Sequence, residues 1–412
     1  MKKTNGSQSI KSQSRDPHNQ GLESINRRQF MGMAAAVGVS AMLPFPSFAK
    51  TRSDNIFIWV SLRGAMDGLN VVVPHADPDY ADLRPNIGLK PNQLLKLDSF
   101  FGLHPSLKSC HQWYENKELS FVHACSTAYR ERSHFDGQKI LENGTSDPFN
   151  TEGWLNRLLA LSSEQYDGIA IDSGLPLIMQ GKSTVASWYP NRLKTRDKQT
   201  ELLEELFQSD QMLSSNFESV MKIDELVGDQ GVGKQFKSLM SKTGDILSAD
   251  KGPNIAALEL GGWDTHANQG NANGRLSNQL KTLDTGLAAL KESLGSRWNN
   301  TVIIAASEFG RTAKENGTKG TDHGTGNVML VAGGAMVSKA SGLLSSDSSG
   351  GKVIASWPGL SQENLYQGRD LKPTTDMRGV IKGVLNQHLS IEEKQIDTIF
   401  PDSEMVKPLE II

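Results

Sequence analysis

Two apolar runs joined by one long amphipathic helix constrain the fold more than any other feature of the chain. Asn254 to Leu260 reads NIAALEL and Thr301 to Ala306 reads TVIIAA. Between them Leu276, Leu280, Leu283, Leu287, Leu290 and Leu294 recur at the three- and four-residue spacing of a helix with one apolar stripe. A strand–helix–strand unit of this kind returns its second strand parallel to the first. Val302, Ile303 and Ile304 stand side by side with no polar alternation, which suits a strand buried on both faces. The chain is therefore read as α/β with a mainly parallel sheet. In open sheets of that type ligands sit beyond the carboxyl ends of the strands.

The polar segment after each apolar run carries the functional signal. Asn55 to Leu62 (NIFIWVSL) is succeeded by Arg63-Gly64-Ala65-Met66-Asp67-Gly68, which sets Asp67 among glycines that let backbone approach a ligand; a turn aspartate before glycine has the same appearance. Leu119 to Ala124 (LSFVHA) runs into a segment holding Arg130, Arg132 and Ser133. Ser133 with Asp136 fits a capping box. It equally fits a hydroxyl at a helix N-terminus, where amides, dipole and the two arginines favour an anion. After Leu260 come Asp264 and His266, two apart, so that extended backbone projects both to one side. A polar loop capping the next helix is the alternative. After Ala306 come Glu308, Arg311, Asp322 and His323 in a loop with four glycines. Mixed carboxylate and imidazole donors point to a divalent ion such as zinc or manganese, one or two in number.

The remainder is less informative. Asn327 to Ala332 reads as a further strand, Leu103 to Glu115 as a helix, and Asp376 as the N-cap of a helix to Leu389. Residues 151–252 read as a mainly helical insertion, with Gly168 to Ile171 a short strand and amphipathic helices at Thr200 to Phe207 and Lys234 to Leu247. Gly181-Lys182-Ser183 resembles the end of a phosphate-binding loop, but Pro176 stands where the required glycine belongs. Cys110 and Cys125 are read as two buried thiols rather than a bridge.

The first 49 residues differ from the rest. A polar stretch precedes Asn26-Arg27-Arg28-Gln29-Phe30, an apolar run from Met31 to Leu43, and Ser47-Phe48-Ala49 before Lys50. This reads as a twin-arginine export signal, with an apolar run too short to span a membrane. The implied partner is the twin-arginine translocase, and the implied location is periplasmic or otherwise exported. Cleavage would remove six basic residues (Lys2, Lys3, Lys11, Arg15, Arg27, Arg28) and two acidic ones (Asp16, Glu23), leaving 37 basic against 44 acidic, net -7. Without a basic block in the body of the chain, nucleic acid is excluded as the expected partner. An anionic substrate would need a local cation.

Several of these motifs, in this order, resemble the domain of unknown function 1501 family. They are the twin-arginine start, Leu62-Arg63-Gly64-Ala65-Met66-Asp67-Gly68-Leu69-Asn70, Arg132-Ser133-His134-Phe135-Asp136, Trp263-Asp264-Thr265-His266, Ser307-Glu308-Phe309-Gly310-Arg311-Thr312 and Thr321-Asp322-His323-Gly324. That family is grouped with the alkaline phosphatase and sulfatase superfamily. The resemblance implies one alkaline-phosphatase-like α/β domain over residues 50–412, helices flanking the sheet, and hydrolysis of phosphate or sulfate esters at a metal. It also implies metal ligands at Asp67, Asp264, His266, Glu308 and His323. Ser133, with Thr127 as rival, would supply the attacking hydroxyl, and Arg130, Arg132 or Arg311 would face the oxyanion. The chain departs from the pattern at Phe309, where a histidine is usual, and it lacks a sulfatase-type Cys-x-Pro-x-Arg motif. The competing expectation is a non-catalytic periplasmic binding or assembly protein on the same fold.

Overall fold

A computed structural model describes residues 53–190, 235–338 and 350–412. The export signal (1–49) and the helix expected at Thr200 to Phe207 lie outside the described residues, as does most of the Ser341 to Gly351 loop.

The apolar runs form the strands. Among the described residues the main sheet comprises β1 (Ile56–Arg63), β2 (Leu119–Ser126), β3 (Gly168–Ile171), β4 (Ala186–Ser187), β5 (Ile255–Gly261), β6 (Thr301–Ala306), β7 (Asn327–Ala332), β8 (Val353–Ile354) and β9 (Thr375–Asp376). The order is β8-β2-β7-β6-β1-β5-β3-β4, with β9 also paired to β2. The pairs β1–β5, β1–β6, β3–β5, β3–β4, β2–β8 and β2–β9 are parallel. β7 alone runs against its neighbours β2 and β6. The expected mainly parallel α/β architecture is the observed one.

Both faces of the sheet are covered, which explains the lack of alternation in its strands. Ile56, Ile58, Val60 and Leu62 of β1 pack into one core with α1 (Lys108–Glu115), α4 (Phe236–Ser248) and α5 (Arg275–Leu294). Phe57 and Trp59 pack into another with α3 (Trp154–Leu161) and α6 (Met377–Gln387). The six leucines of the α5 stripe are all buried. Asp376 caps α6, accepting from the Arg378 N–H at 2.8 Å. Cys110 and Cys125 are free and buried. No helix among the described residues is long and apolar enough to cross a membrane.

Over the described part of 151–252 the short strand expected at Gly168 to Ile171 forms as β3, and β3 and β4 extend the central sheet from β5. One expectation needs correction. Leu103 is not helical: it pairs with Val72 and Leu95 in a small antiparallel sheet, and the helix begins only at Lys108.

The strand directions place the site. β1, β2, β5 and β6 all end at one rim, and β7, running the other way, begins there. Segments 64–67, 127–134, 262–266 and 307–311 leave the sheet at that rim, while 321–326 enters it.

Candidate metal centre

Four side chains from three of those segments converge. His134 opens α2 (His134–Asn143), directly after the loop beyond β2. Asp264 and His266 come after β5, and His323 precedes β7. Nε2 of His323 lies 2.9 Å from Nε2 of His134 and 3.0 Å from Nε2 of His266. The Asp264 carboxylate stands 3.0 Å from His266 Nε2, 3.5 Å from His323 Nε2 and 3.7 Å from His134 Nε2. His134, Asp264 and His323 have ligand atoms all within 4.8 Å of one another. His134 and His323 are about a quarter exposed, at 26% and 25%, and His266 is 46% exposed, so the cluster opens to solvent on one side.

The opposite nitrogen of each ring explains the convergence. His323 Nδ1–H donates to the Arg132 carbonyl at 2.9 Å. His134 Nδ1–H donates to Glu308 Oε1 at 2.6 Å, and His266 Nδ1–H to Asp322 Oδ1 at 3.3 Å. A carbonyl can only accept, so the His323 proton sits on Nδ1 and its Nε2 carries a lone pair; the carboxylates favour the same tautomer in the other two. Three lone pairs and a carboxylate directed at one another repel unless a cation lies between them. Histidine ligands fixed by carboxylates or carbonyls behind them are the usual outer shell of a metal. The residues thus fit a divalent ion.

Electrostatics agree. Burial pushes the His323 imidazole below its usual range, against the Arg132 carbonyl, and so keeps it neutral. Partial burial pushes the Asp264 carboxyl up, but the Arg311 hydrogen bond and charge outweigh it and hold the group ionised below its usual range.

Of the residues expected at the metal, Asp264, His266 and His323 meet there. Asp67 does not: both its oxygens accept from the Arg84 guanidinium, at 2.6 and 3.0 Å, and Oδ2 also accepts from Gln269 Nε2 at 2.7 Å. Glu308 stands behind the cluster. It is fully buried, and besides His134 its Oε1 accepts from the Gly64 and Ala65 N–H groups at 2.9 and 3.1 Å. Those two residues take left-handed backbone, with φ of +119° and +57°, which aims successive amides at one oxygen.

The arginines are likewise committed to protein partners. Arg311 donates from Nη1 to Asp264 Oδ1 at 2.6 Å, from Nε to Thr321 Oγ1 at 3.0 Å, and from Nη2 to the Thr321 carbonyl. Its guanidinium is thus directed at the Asp264 carboxylate of the cluster. The Arg132 side chain turns away toward Asp370, and only its carbonyl serves the cluster. Arg130 donates to Ser126 Oγ and to the Thr127 and Tyr129 carbonyls. Ser133 holds the N-cap position of α2 without a side-chain cap bond, so the expected capping box is not made. Its half-buried hydroxyl adjoins His134 in the chain. Thr127 is buried, and its Oγ1 accepts from the Tyr129 N–H at 3.2 Å.

His134 is the member of the cluster that sequence reasoning passed over. Its signal was present, an imidazole just past a strand end like His266, but the neighbouring serine was the more obvious nucleophile. Phe309 is a wall of the site. Its ring stacks on His134 at 5.0 Å and lies 5.4 Å from that of His323.

Fold and site together define a class: a mainly parallel α/β sheet with a candidate histidine–aspartate metal centre at its carboxyl rim. The chain belongs to the family described as protein of unknown function (DUF1501), whose family model matches residues 178–400. No curated protein matches the sequence. Three solved structures have a similar outline. The C-terminal periplasmic domain of EcEptC from Escherichia coli, in complex with Zn, is 9% identical with a TM-score of 0.38, over 71% of this chain and 77% of that one. Phosphonate monoester hydrolase of Agrobacterium radiobacter is 10% identical with a TM-score of 0.36, over 81% and 73%. A protein in the alkaline phosphatase superfamily from Vibrio parahaemolyticus is 10% identical with a TM-score of 0.35, over 75% and 69%. At these scores none of the three bears on what the site does.

Proposed function

We propose that this protein is an exported hydrolase of phosphate or sulfate esters that works with one divalent ion, zinc or manganese, held by His134, Asp264, His266 and His323. The observation that carries the reading is the convergence of three Nε2 atoms whose rings are each anchored from behind. Three imidazoles and one carboxylate suit zinc best. Bound there, such an ion polarises an ester oxygen and lowers the pKa of a nearby hydroxyl or water. A single ion is favoured over two because Asp67 and Glu308 are already engaged, by Arg84 and by His134 with the Gly64–Ala65 amides.

The chain's own residues divide the remaining work. Arg311 keeps Asp264 ionised and oriented. Glu308, the Arg132 carbonyl and Asp322 fix the three ring tautomers. Ser133, adjacent to His134 in the chain, half-buried and without a side-chain cap bond, is the hydroxyl we assign as nucleophile, with Thr127 as its rival. The Asn26-Arg27-Arg28-Gln29-Phe30 segment supports passage through the twin-arginine translocase to the periplasm, with folding and metal loading beforehand.

The test is metal analysis of protein folded in the cytoplasm, together with assays on aryl phosphates and aryl sulfates. One equivalent of metal and turnover lost in Ser133→Ala is the expected result; absence of both metal and turnover defeats the reading. One observation favours a non-catalytic binding protein instead: Arg132 and Arg311 are consumed by Asp370 and Asp264. Ligand or partner binding that survives Asp264→Ala and His266→Ala, with no turnover in the parent protein, would decide for that alternative.

A further inference from the structure

The turn at 366–370 supplies none of the four candidate ligands, yet it braces two segments that serve them. Gln367 and Gly368 both take left-handed backbone, with φ of +54° and +62°. Tyr366 and Asp370 exchange backbone hydrogen bonds of 2.8 and 3.1 Å and so close the turn. On one side the turn is tied to the chain just after Arg311: Thr312 and Asp370 form a bridge, and the Ala313 N–H donates to the Arg369 carbonyl at 3.1 Å. On the other side it grips Arg132. The Asp370 side chain is shut off from solvent, and its Oδ2 accepts from Arg132 Nε and Nη2 at 2.8 Å each. Arg132 Nη2 also donates to Gln367 Oε1 at 2.6 Å.

This grip coincides with an uncommon backbone. Arg132 has φ +62°, a region that residues with a Cβ enter only when held. The conformation turns the Arg132 carbonyl to accept the His323 Nδ1–H at 2.9 Å. We propose that Asp370 is a positioning residue for the candidate metal centre, acting through Arg132 to fix the tautomer and orientation of His323. The inference rests on the metal-centre reading, and it adds a residue that no ligand contacts directly.

The test uses the full chain. Asp370→Asn keeps the size of the side chain but removes its charge. Loss of such an outer partner weakens metal affinity by about ten- to a hundred-fold. The expected result is a zinc affinity lowered by that factor in chelator competition, and a shifted visible spectrum of the cobalt-loaded variant. A purely structural role would move neither at unchanged fold by circular dichroism. Histidine 15N resonances of the metal-free protein provide an independent readout: His323 carries its proton on Nδ1 in the parent and on a mixture of nitrogens in the variant. Arg132→Gly is the second variant, because glycine takes this φ freely while the guanidinium anchor is lost; it is expected to move both readouts the same way, and it carries the test if Asp370→Asn does not fold. Unchanged affinity and unchanged tautomer overturn the proposal. A parent protein that takes up no zinc defeats the metal reading instead, and the tautomer measurement then judges Asp370 alone.

Discussion

Arg84 and Asp67 meet in a two-point ion pair, Nη1 to Oδ2 at 2.6 Å and Nη2 to Oδ1 at 3.0 Å, with side chains 0% and 1% exposed. Arg84 further donates to Asn70 Oδ1 and to the Thr312 and Ala313 carbonyls at 2.7, 2.8 and 2.9 Å. Removing either partner leaves a buried charge without compensation, at a cost of about 3–5 kcal/mol. Asp67→Asn and Arg84→Met are therefore expected to lower the urea midpoint strongly. On the proposed one-ion reading the zinc stoichiometry of the folded fraction should stay at one, since the two groups are engaged with each other. Loss of the metal at unchanged stability in Asp67→Asn would return Asp67 to the metal.

The centre itself makes a graded prediction. His134→Ala, His323→Ala and Asp264→Ala each delete a donor and should abolish tight zinc binding. Glu308→Gln should weaken it by about ten- to a hundred-fold, as for an outer-shell carboxylate. Chelation of the parent protein should lower its melting temperature, because zinc at about a hundred times its dissociation constant contributes about 2.7 kcal/mol to the folded state. Calorimetric scans with and without chelator measure this. A melting temperature indifferent to chelator would contradict a structural fit of the four donors.

His123 supplies a pH dependence away from the site. Burial pushes its imidazole down to about 4, against the Val72 carbonyl at 2.9 Å from Nε2. Nδ1 accepts from the Ala124 N–H at 2.7 Å, so the ring is held neutral. As pH falls the unfolded chain takes up the proton first, at its ordinary 6.5. Stability from this group is complete above that value and is lost between 6.5 and about 4, by roughly 3 kcal/mol. Chemical denaturation of the parent and of His123→Gln across pH 4–7 reads the difference in slope. The comparison is needed because buried Glu142 and Asp370, both raised by desolvation, act in the opposite sense.

Three glycines let the rim loops touch backbone to backbone. A Cβ on Gly310 would strike the Gly326 carbonyl, on Gly320 the His266 carbonyl, and on Gly324 the Arg311 backbone. None of these neighbours can swing aside. Gly324→Ala is expected to reduce both stability and zinc affinity, since it separates His323 from Arg311. A variant with parental affinity in chelator competition would show that the loops are not so tightly registered.

Much of the fold was legible because it rests on local pattern. The runs at β1, β2, β5, β6 and β7, and the leucine stripe of α5, announced themselves through buried, period-specific spacing. The rim location of Asp264, His266 and His323 came with that pattern. The hidden part depends on partners distant in sequence. Nothing local says that Asp67 belongs to Arg84, or that Arg132 would spend its side chain on Asp370, 238 positions later. Glu308 was legible as a carboxylate at the rim, but its burial behind His134 was not, because the Gly64–Ala65 amides that satisfy it come from another strand end. His134 was overlooked for a related reason: only the helix orientation, fixed by tertiary packing, decides whether the serine or the histidine of Ser133-His134 faces the rim.

The reversed direction of β7 has a mechanical consequence. Arg311 and His323 are bridge partners on the two arms of one returning ribbon between β6 and β7. One arm carries a donor, and the other carries the guanidinium that steers Asp264. His323 and the orientation of Asp264 are therefore mechanically coupled: a displacement of that ribbon would shift both together.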